Sequence, residues 1–200
     1  GLGDVYKRQA DYYYVKFFDS DNGVIVCGYA KSNDTNESSR IYSTSNGGES
    51  WDIVGSGPAT NIIKGVVYVS SDVGFFCYDY VEGMDSNLYK TDDGGKTFAK
   101  VMLEEQELDS SAANPQGQET ETKTDSGKNG ADSSEQLRWG DVYKEALTPV
   151  VDSTGIITIY LTQGKNAVYN DGKTAAKYQS SDKGSTWKYI CLLYTSPSPR

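Results

Sequence analysis

Three carboxylates stand close together in one polar stretch of the chain: Asp79, Glu82 and Asp85. A pair of carboxylates is what a glycoside hydrolase uses as its general acid and as its nucleophile or base. Nothing in the sequence fixes the distance between these side chains, and Asp and Glu are mostly exposed in proteins. The sequence therefore favours solvated loop charges over a catalytic pair.

Aromatic rings near loops offer a second kind of chemistry, because they can stack on sugar rings. Tyr29, Tyr80 and Tyr169 lie next to predicted loops. Tyrosines in such positions more often pack between sheets and keep the hydroxyl at the surface. Both interpretations remain open for the three tyrosines.

Other sites that carry chemistry are disfavoured. Residues 19–23 (DSDNG) resemble the start of a calcium-binding loop, but the later bidentate carboxylate that such loops need is missing. The Gly-rich residues 55–58 have no following Lys-[Ser/Thr], so phosphate binding is disfavoured. The chain has no histidine, which removes His-based catalysis and most zinc sites. The sequence predicts no cofactor and no metal.

An eight-residue motif occurs three times, at residues 44–51, 91–98 and 180–187. Its third residue, Asp or Asn, can accept hydrogen bonds from backbone N–H groups in a tight turn. Its fifth residue, Gly, permits a backbone conformation that a Cβ disfavours, and its last residue is a large aromatic. The residues that define the motif are Thr44, Asn46, Gly48, Trp51, Thr91, Asp93, Gly95, Phe98, Ser180, Asp182, Gly184 and Trp187.

The repeated motif resembles the Asp box, or BNR repeat, of sialidase-like and sortilin-like β-propellers. Around each copy, short apolar runs alternate with turn residues, which is typical of short antiparallel strands. The resemblance implies an all-β fold of four-stranded blades, predicted at residues 10–54, 55–103 and 137–190. Because closed propellers typically have four to eight blades, we expect an arc of about three blades from a larger propeller.

The motif copies start 47 and 89 residues apart, and an acidic segment at residues 104–136 accounts for the longer interval. It has nine acidic and two basic residues and very few apolar ones. Such a segment cannot bury enough surface to offset its ordering entropy, so it is predicted to be disordered. Loops accept added length at little cost, so we interpret it as a tolerated insertion rather than a binding element.

The two ends of the chain are expected not to be native. Back-translation of residues 191–200 resembles a transposase sequencing adapter, and its reverse complement, read in another frame, encodes residues 1–8 followed by Gln or His. Without these ends, three basic residues and one acidic residue are lost, and the formal net charge changes from −9 to −11. An acidic chain is a poor candidate for binding nucleic acid or an anionic membrane, and no apolar run reaches the roughly 20 residues of a membrane helix.

Cys27 and Cys77 lie inside apolar runs and are predicted to be buried thiols. A disulfide between neighbouring blades is the alternative, and it requires Cα atoms within about 7 Å.

The propeller resemblance also implies where a ligand binds, since ligands usually meet the face opposite the Asp-box turns. That face is expected to carry residues 31–39, 55–61, 81–86, 162–174 and the acidic insertion. The candidate ligand contacts on it are Tyr29, Lys31, Asp79, Tyr80, Glu82, Asp85 and Tyr169.

Comparison with sialidases argues against catalysis in this chain. A sialidase uses three arginines, a Tyr–Glu nucleophile and an Arg-Ile-Pro motif, whereas Arg40 and Arg138 are the only arginines outside the two ends. The leading hypothesis is therefore a non-catalytic propeller that binds a carbohydrate or protein partner outside the cytoplasm or at the cell surface. The alternative is part of a sialidase-like glycoside hydrolase. A role in assembly, as in Asp-box propellers that help build photosystem II, has no specific support.

Overall fold

A computed structural model describes residues 10–29, 39–58, 61–108, 138–164 and 173–194. In these residues the chain forms thirteen β-strands and one helix of four residues. The strands make three antiparallel sheets, called here sheets A, B and C. The predicted all-β class is confirmed.

Sheet A has four strands in chain order, each antiparallel to the next. Alternation along the first strand turns Tyr12, Tyr14 and Lys16 to one face and Tyr13, Val15 and Phe17 to the other. The strands are β1 (Tyr12–Phe17), β2 (Gly23–Gly28), β3 (Ser39–Thr44) and β4 (Asp52–Ser56).

Sheet B repeats this order with a central strand that is buried along its whole length. A strand that is buried on both faces has a continuous run of apolar residues in its sequence, as Phe75, Phe76 and Cys77 do here. The strands are β5 (Ile63–Tyr68), β6 (Gly74–Tyr78), β7 (Leu88–Thr91) and β8 (Ala99–Lys100).

Sheet C has four strands in the same order and a fifth, β9, that also pairs with β11. The helix α1 (Trp139–Val142) directly precedes β9. Neither α1 nor β9 was predicted from the sequence. The strands are β9 (Glu145–Ala146), β10 (Val150–Val151), β11 (Ile157–Thr162), β12 (Thr174–Ser180) and β13 (Lys188–Tyr194).

The main apolar clusters lie between consecutive sheets. Val24, Val26 and Ile41 of sheet A pack against residues of sheet B that include Tyr68 and Phe76. On the other face of sheet B, a second cluster joins side chains of β6 and β7 to Ala146 of β9 and to Ile157 and Ile159 of β11 in sheet C. Because each cluster needs two sheets to be buried, the sheets stabilise one another.

Side chains of β1 also satisfy the free edge of β5. The hydroxyls of Tyr12 and Tyr14 accept hydrogen bonds from the backbone N–H groups of Val66 and Tyr68, each at 3.1 Å. The Lys16 ammonium donates to the Tyr68 carbonyl at 2.6 Å. These bonds fix sheet A against sheet B at an edge that would otherwise leave polar backbone groups unpaired.

Cys27 and Cys77 are both buried free thiols, as predicted, and the alternative of a disulfide between them is wrong. Burial raises the pKa of the Cys77 thiol to about 11. The thiol donates to the Ala146 carbonyl at 3.2 Å, so Cys77 serves packing between sheets B and C.

The structure describes the first five residues of the acidic segment that was predicted to be disordered, Glu104 to Leu108. Glu104 to Leu108 run along sheet C, where the Tyr178 hydroxyl donates to the Glu104 carbonyl at 2.7 Å and Leu108 packs near Trp139. The anchors are the apolar Leu108 and a backbone carbonyl, which an argument from charge alone does not detect. The remainder of the predicted disordered segment, residues 109–136, lies outside the described residues.

Candidate functional site

The three motif copies form turns of nearly identical hydrogen bonding at one end of each sheet. In each, the first hydroxyl donates to the third side chain and accepts from the glycine N–H, as Thr91 does with Asp93 and Gly95, both at 2.8 Å. The Asp93 carboxylate then accepts from the backbone of Lys96 and Thr97. The glycines adopt positive φ: 92° at Gly48, 109° at Gly95 and 78° at Gly184.

Each box turn in sheets A and B is tied to the first hairpin turn of its own sheet. Gly47 N–H donates to the Asp21 carbonyl at 2.9 Å, and Gly94 N–H donates to the Asp72 carbonyl at 2.8 Å. The Asp19 carboxylate accepts hydrogen bonds from its own loop, including the backbone N–H groups of Asp21 and Asn22. At this end of sheets A and B, the turn residues therefore form hydrogen bonds with one another.

We expect Thr91→Val to lower the free energy of unfolding by about 1–3 kcal/mol, because it leaves the buried Gly95 N–H without its acceptor. Valine has nearly the same shape, so the change removes the hydroxyl and little packing. Thr97→Val is the control, since the Thr97 hydroxyl is exposed and water can replace it. Urea unfolding measures both variants, and equal losses would contradict the role of the buried hydroxyl.

Two of the three boxes should make stability depend on pH. Hydrogen bonds from Thr97 and Thr186 hold the pKa values of Asp93 and Asp182 well below the usual range. A depressed pKa contributes stability that is present above the ordinary Asp value of about 3.9 and is lost as the pH falls below it. The first box carries Asn46, which does not titrate and donates to Ser50 in the same geometry.

The double variant Asp93→Asn, Asp182→Asn should therefore lose less stability than the wild type between about pH 4 and pH 2. Urea midpoints measured across that range test the prediction. Asn46→Asp is the matched control, because it should steepen the loss on the acid side. Identical pH profiles for all three proteins would contradict the expected linkage.

A cleft of about 510 Å³ lies at the opposite end of sheet B from its box turn, between sheets B and C. One wall is the loop that joins β6 to β7, with Tyr80, Glu82 and Asp85. The other wall is Arg138 and helix α1, and Leu161 and Ala146 lie among the apolar lining residues. Its size falls within the roughly 300–1,000 Å³ of small-molecule sites.

Aromatic packing holds the α1 wall in place. Trp139 is 3% exposed and packs on Tyr143 and Tyr189, with ring centroids 4.5 and 5.6 Å away. The Tyr143 hydroxyl is hydrogen-bonded to the Thr174 hydroxyl at 2.7 Å. Tyr80 is only partly buried, and its pKa is raised by burial and by the Glu82 charge. Tyr80 is therefore the one aromatic residue of the cleft lining that is not buried.

Ion pairs neutralise most charges in the cleft. Glu82 contacts Lys144 at 2.6 Å across its two walls, Asp85 contacts Lys100 at 2.7 Å, and Arg138 contacts Asp141 at 3.1 Å. The Lys100 ammonium lowers the pKa of Asp85, and Arg138 lowers the pKa of Asp141. Carboxylates that stay ionised accept hydrogen bonds from hydroxyl groups but do not act as general acids at neutral pH.

The structure brings three of the seven candidate ligand contacts together in the cleft: Tyr80, Glu82 and Asp85. Asp79 lies outside it and contacts Lys64 at 3.0 Å. Tyr29 is 6% exposed and packs in an apolar cluster with Cys27 on sheet A, so its ring is not accessible for stacking. Lys31 and Tyr169 lie outside the described residues.

Sequence reasoning missed the second wall of the cleft, which consists of Arg138 to Lys144. The available signal was Trp139 itself, a large aromatic that follows directly after a long polar segment. Such a residue marks the point where the chain returns to a core. Its partner loop at Tyr80 could not be identified, because the contact joins residues about sixty positions apart.

No protein-family model matches this chain, and no curated protein matches it significantly. Within the described part of the chain, no helix is long and apolar enough to cross a membrane. Among the same residues, no group of three or more His, Cys, Asp or Glu side chains is arranged to hold a metal ion.

Proposed function

We propose that the chain is an arc of a larger Asp-box β-propeller and that it binds a carbohydrate without catalysis. Three observations support the architecture: three consecutive antiparallel sheets, an apolar cluster between each consecutive pair, and a box turn of the same geometry in each sheet. Each sheet, with its box turn, then corresponds to one blade. We place the binding outside the cytoplasm or at the cell surface, where glycans are exposed.

The cleft between sheets B and C is the observation that best supports a binding function. A concave site of this size suits a small ligand, whereas a protein partner usually needs a broad and flatter surface of about 800 Å². Its exposed lining combines the Tyr80 ring with ionised carboxylates and a guanidinium. Those groups can stack on a sugar ring and accept or donate hydrogen bonds to its hydroxyls.

The charge of the lining favours a neutral sugar over an acidic one. The lining has four acidic residues, Glu82, Asp85, Glu105 and Asp141, and two basic ones, Arg138 and Lys144. Lys100 pairs with Asp85 from outside the lining, so one negative charge is in excess. An anionic sugar would meet an excess of like charge.

The hydrolase alternative gains no support from the same residues. Of the two arginines outside the chain ends, only Arg138 lines the cleft, whereas a sialidase needs three. A glycoside hydrolase also needs a carboxyl group with a raised pKa as its acid. Asp85 and Asp141 have lowered pKa values instead.

Isothermal titration of the full chain with a panel of sugars tests the proposal. The panel contains neutral gluco-, manno-, xylo- and galacto-oligosaccharides and, as the matched acidic ligand, sialyllactose beside lactose. We expect saturable binding of at least one neutral sugar and weaker binding of sialyllactose than of lactose. Tight binding of sialyllactose, or release of sialic acid from it, would overturn the proposal, as would the failure of every sugar to bind.

A further inference from the structure

One acidic side chain of the cleft has no cationic partner. Ion pairs join the other three acidic lining residues to basic side chains: Glu82 to Lys144, Asp85 to Lys100 and Asp141 to Arg138. Among the described residues, the fourth acidic residue of the lining, Glu105, forms no ion pair. The excess negative charge of the cleft is therefore located at Glu105.

The backbone on both sides of Glu105 is anchored on sheet C. The Tyr178 hydroxyl donates to the Glu104 carbonyl at 2.7 Å. Leu103 and Leu108 pack against the apolar cluster that contains Trp139 of α1. Glu105 itself is exposed, but these anchors fix its backbone beside α1. A side chain on an anchored backbone loses less conformational entropy when it binds a ligand than one on a free loop.

The Glu105 carboxylate lies against Gly140, in a space that another residue type would fill. A Cβ built on Gly140 would lie 2.5 Å from Glu105 Oε1, which is too close for a nonbonded contact. Gly140 belongs to the α1 wall of the cleft, whereas Tyr80 belongs to the other wall. The carboxylate and the accessible tyrosine are therefore on opposite walls of one cavity.

We infer that Glu105 gives the cleft a preference for amino sugars, in which an amine replaces one hydroxyl of a neutral hexose. A protonated amine forms a charge-assisted hydrogen bond to a carboxylate, which is stronger than the bond that a hydroxyl forms in its place. Stacking of the sugar ring on Tyr80 leaves its amine for Glu105 on the opposite wall. The other three acidic residues of the lining already have cations, so Glu105 is the acidic residue of the lining that gains a partner.

The exposure of Glu105 limits the size of the preference, because water and salt screen an exposed ion pair. We expect an amino sugar to bind about two- to fivefold more tightly than its neutral parent at low ionic strength. Added salt should reduce this ratio, since it screens the charge and leaves stacking on Tyr80 in place.

Amide NMR titration of the full chain with matched sugars tests the inference. The pairs are the methyl glycosides of glucosamine and glucose, and those of galactosamine and galactose. We expect the amino sugar of at least one pair to bind more tightly. In Glu105→Gln this preference should disappear while the affinity for the neutral sugar is unchanged. Glu107→Gln is the matched control and should keep the preference, because Glu107 is an exposed acidic residue of the same segment outside the cleft lining.

Gly140→Ala tests the position of the carboxylate without removing its charge. The added methyl group takes the space of Glu105 Oε1, so we expect a smaller preference for the amino sugar. Equal losses of preference in Glu105→Gln and Glu107→Gln would overturn the inference, since the charge of the whole segment would then act. A loss of affinity in Glu105→Gln that is the same for amino and neutral sugars would also overturn it.

The inference rests on the proposed binding of sugars in the cleft, and the same titrations separate the two. Neutral sugars that bind as tightly as the amino sugar in every pair would overturn the inference alone. Failure of every sugar to bind, amino sugars included, would overturn both the inference and the proposed function.

Discussion

Replacement of Phe75 by alanine is expected to lower the free energy of unfolding by about 3–5 kcal/mol. Phe75 is 0% exposed and belongs to the apolar cluster between sheets B and C. Its ring contacts Trp187 and fills the space beside Gly184. Alanine would leave a cavity at the point where the two sheets meet, and close packing on both sides limits its collapse.

Phe17→Ala is the matched control for this prediction. Phe17 is 44% exposed on the face of sheet A that points away from sheet B, so its truncation should cost about 1 kcal/mol or less. Urea or thermal unfolding followed by circular dichroism measures both. Equal losses of stability for Phe75→Ala and Phe17→Ala would contradict the packing of sheet C on sheet B.

Tyr80→Ala is expected to weaken binding of the best neutral sugar by roughly tenfold or more, which corresponds to about 1.4 kcal/mol. Tyr80 is the partly exposed aromatic residue in the cleft. The alanine variant lacks both the ring on which a sugar can stack and the hydroxyl that can form a hydrogen bond to it. Tyr80 follows the end of β6 and is not part of the apolar clusters between sheets. We therefore expect Tyr80→Ala to change the free energy of unfolding little.

Isothermal titration of Tyr80→Ala and Tyr13→Ala checks this expectation. Tyr13 is an equally large ring, 59% exposed on sheet A, and its removal should leave sugar affinity unchanged. Tyr80→Phe separates the two contributions, since it keeps the ring and removes the hydroxyl. If Tyr80→Ala binds as tightly as the wild type, the ligand does not lie in the cleft.

Most of the strands could be predicted from the sequence because their signals are local. Val24 to Gly28 and Phe75 to Tyr78 are apolar runs bounded by turn residues, and β2 and β6 lie there. The box turns were equally predictable, since Asn46, Asp93 and Asp182 need only neighbours within four residues to form their hydrogen bonds. Short-range chemistry therefore determined most of the fold that was anticipated.

The cleft could not be predicted, because it depends on contacts between distant residues. Lys144 forms an ion pair with Glu82, and the N–H of Ala146 donates a hydrogen bond to the Asn87 side chain. Each contact joins residues about sixty positions apart in the sequence. Burial of Tyr29 depends in the same way on packing with Ala10, which precedes β1, and with Tyr42 of β3. Sequence spacing suggested which residues lie near loops, whereas only packing decided which of them share a site.

Amide NMR of the isotopically labelled chain, titrated with the neutral sugar that binds best, tests whether the sugar lies in the cleft. We expect shift changes at Tyr80, Gly83 and Gly140 around the cleft, and unchanged signals at the box glycines Gly48, Gly95 and Gly184. Changes confined to the box turns or to Tyr13 and Val15 on β1, with Tyr80 and Gly140 unaffected, would contradict binding in the cleft.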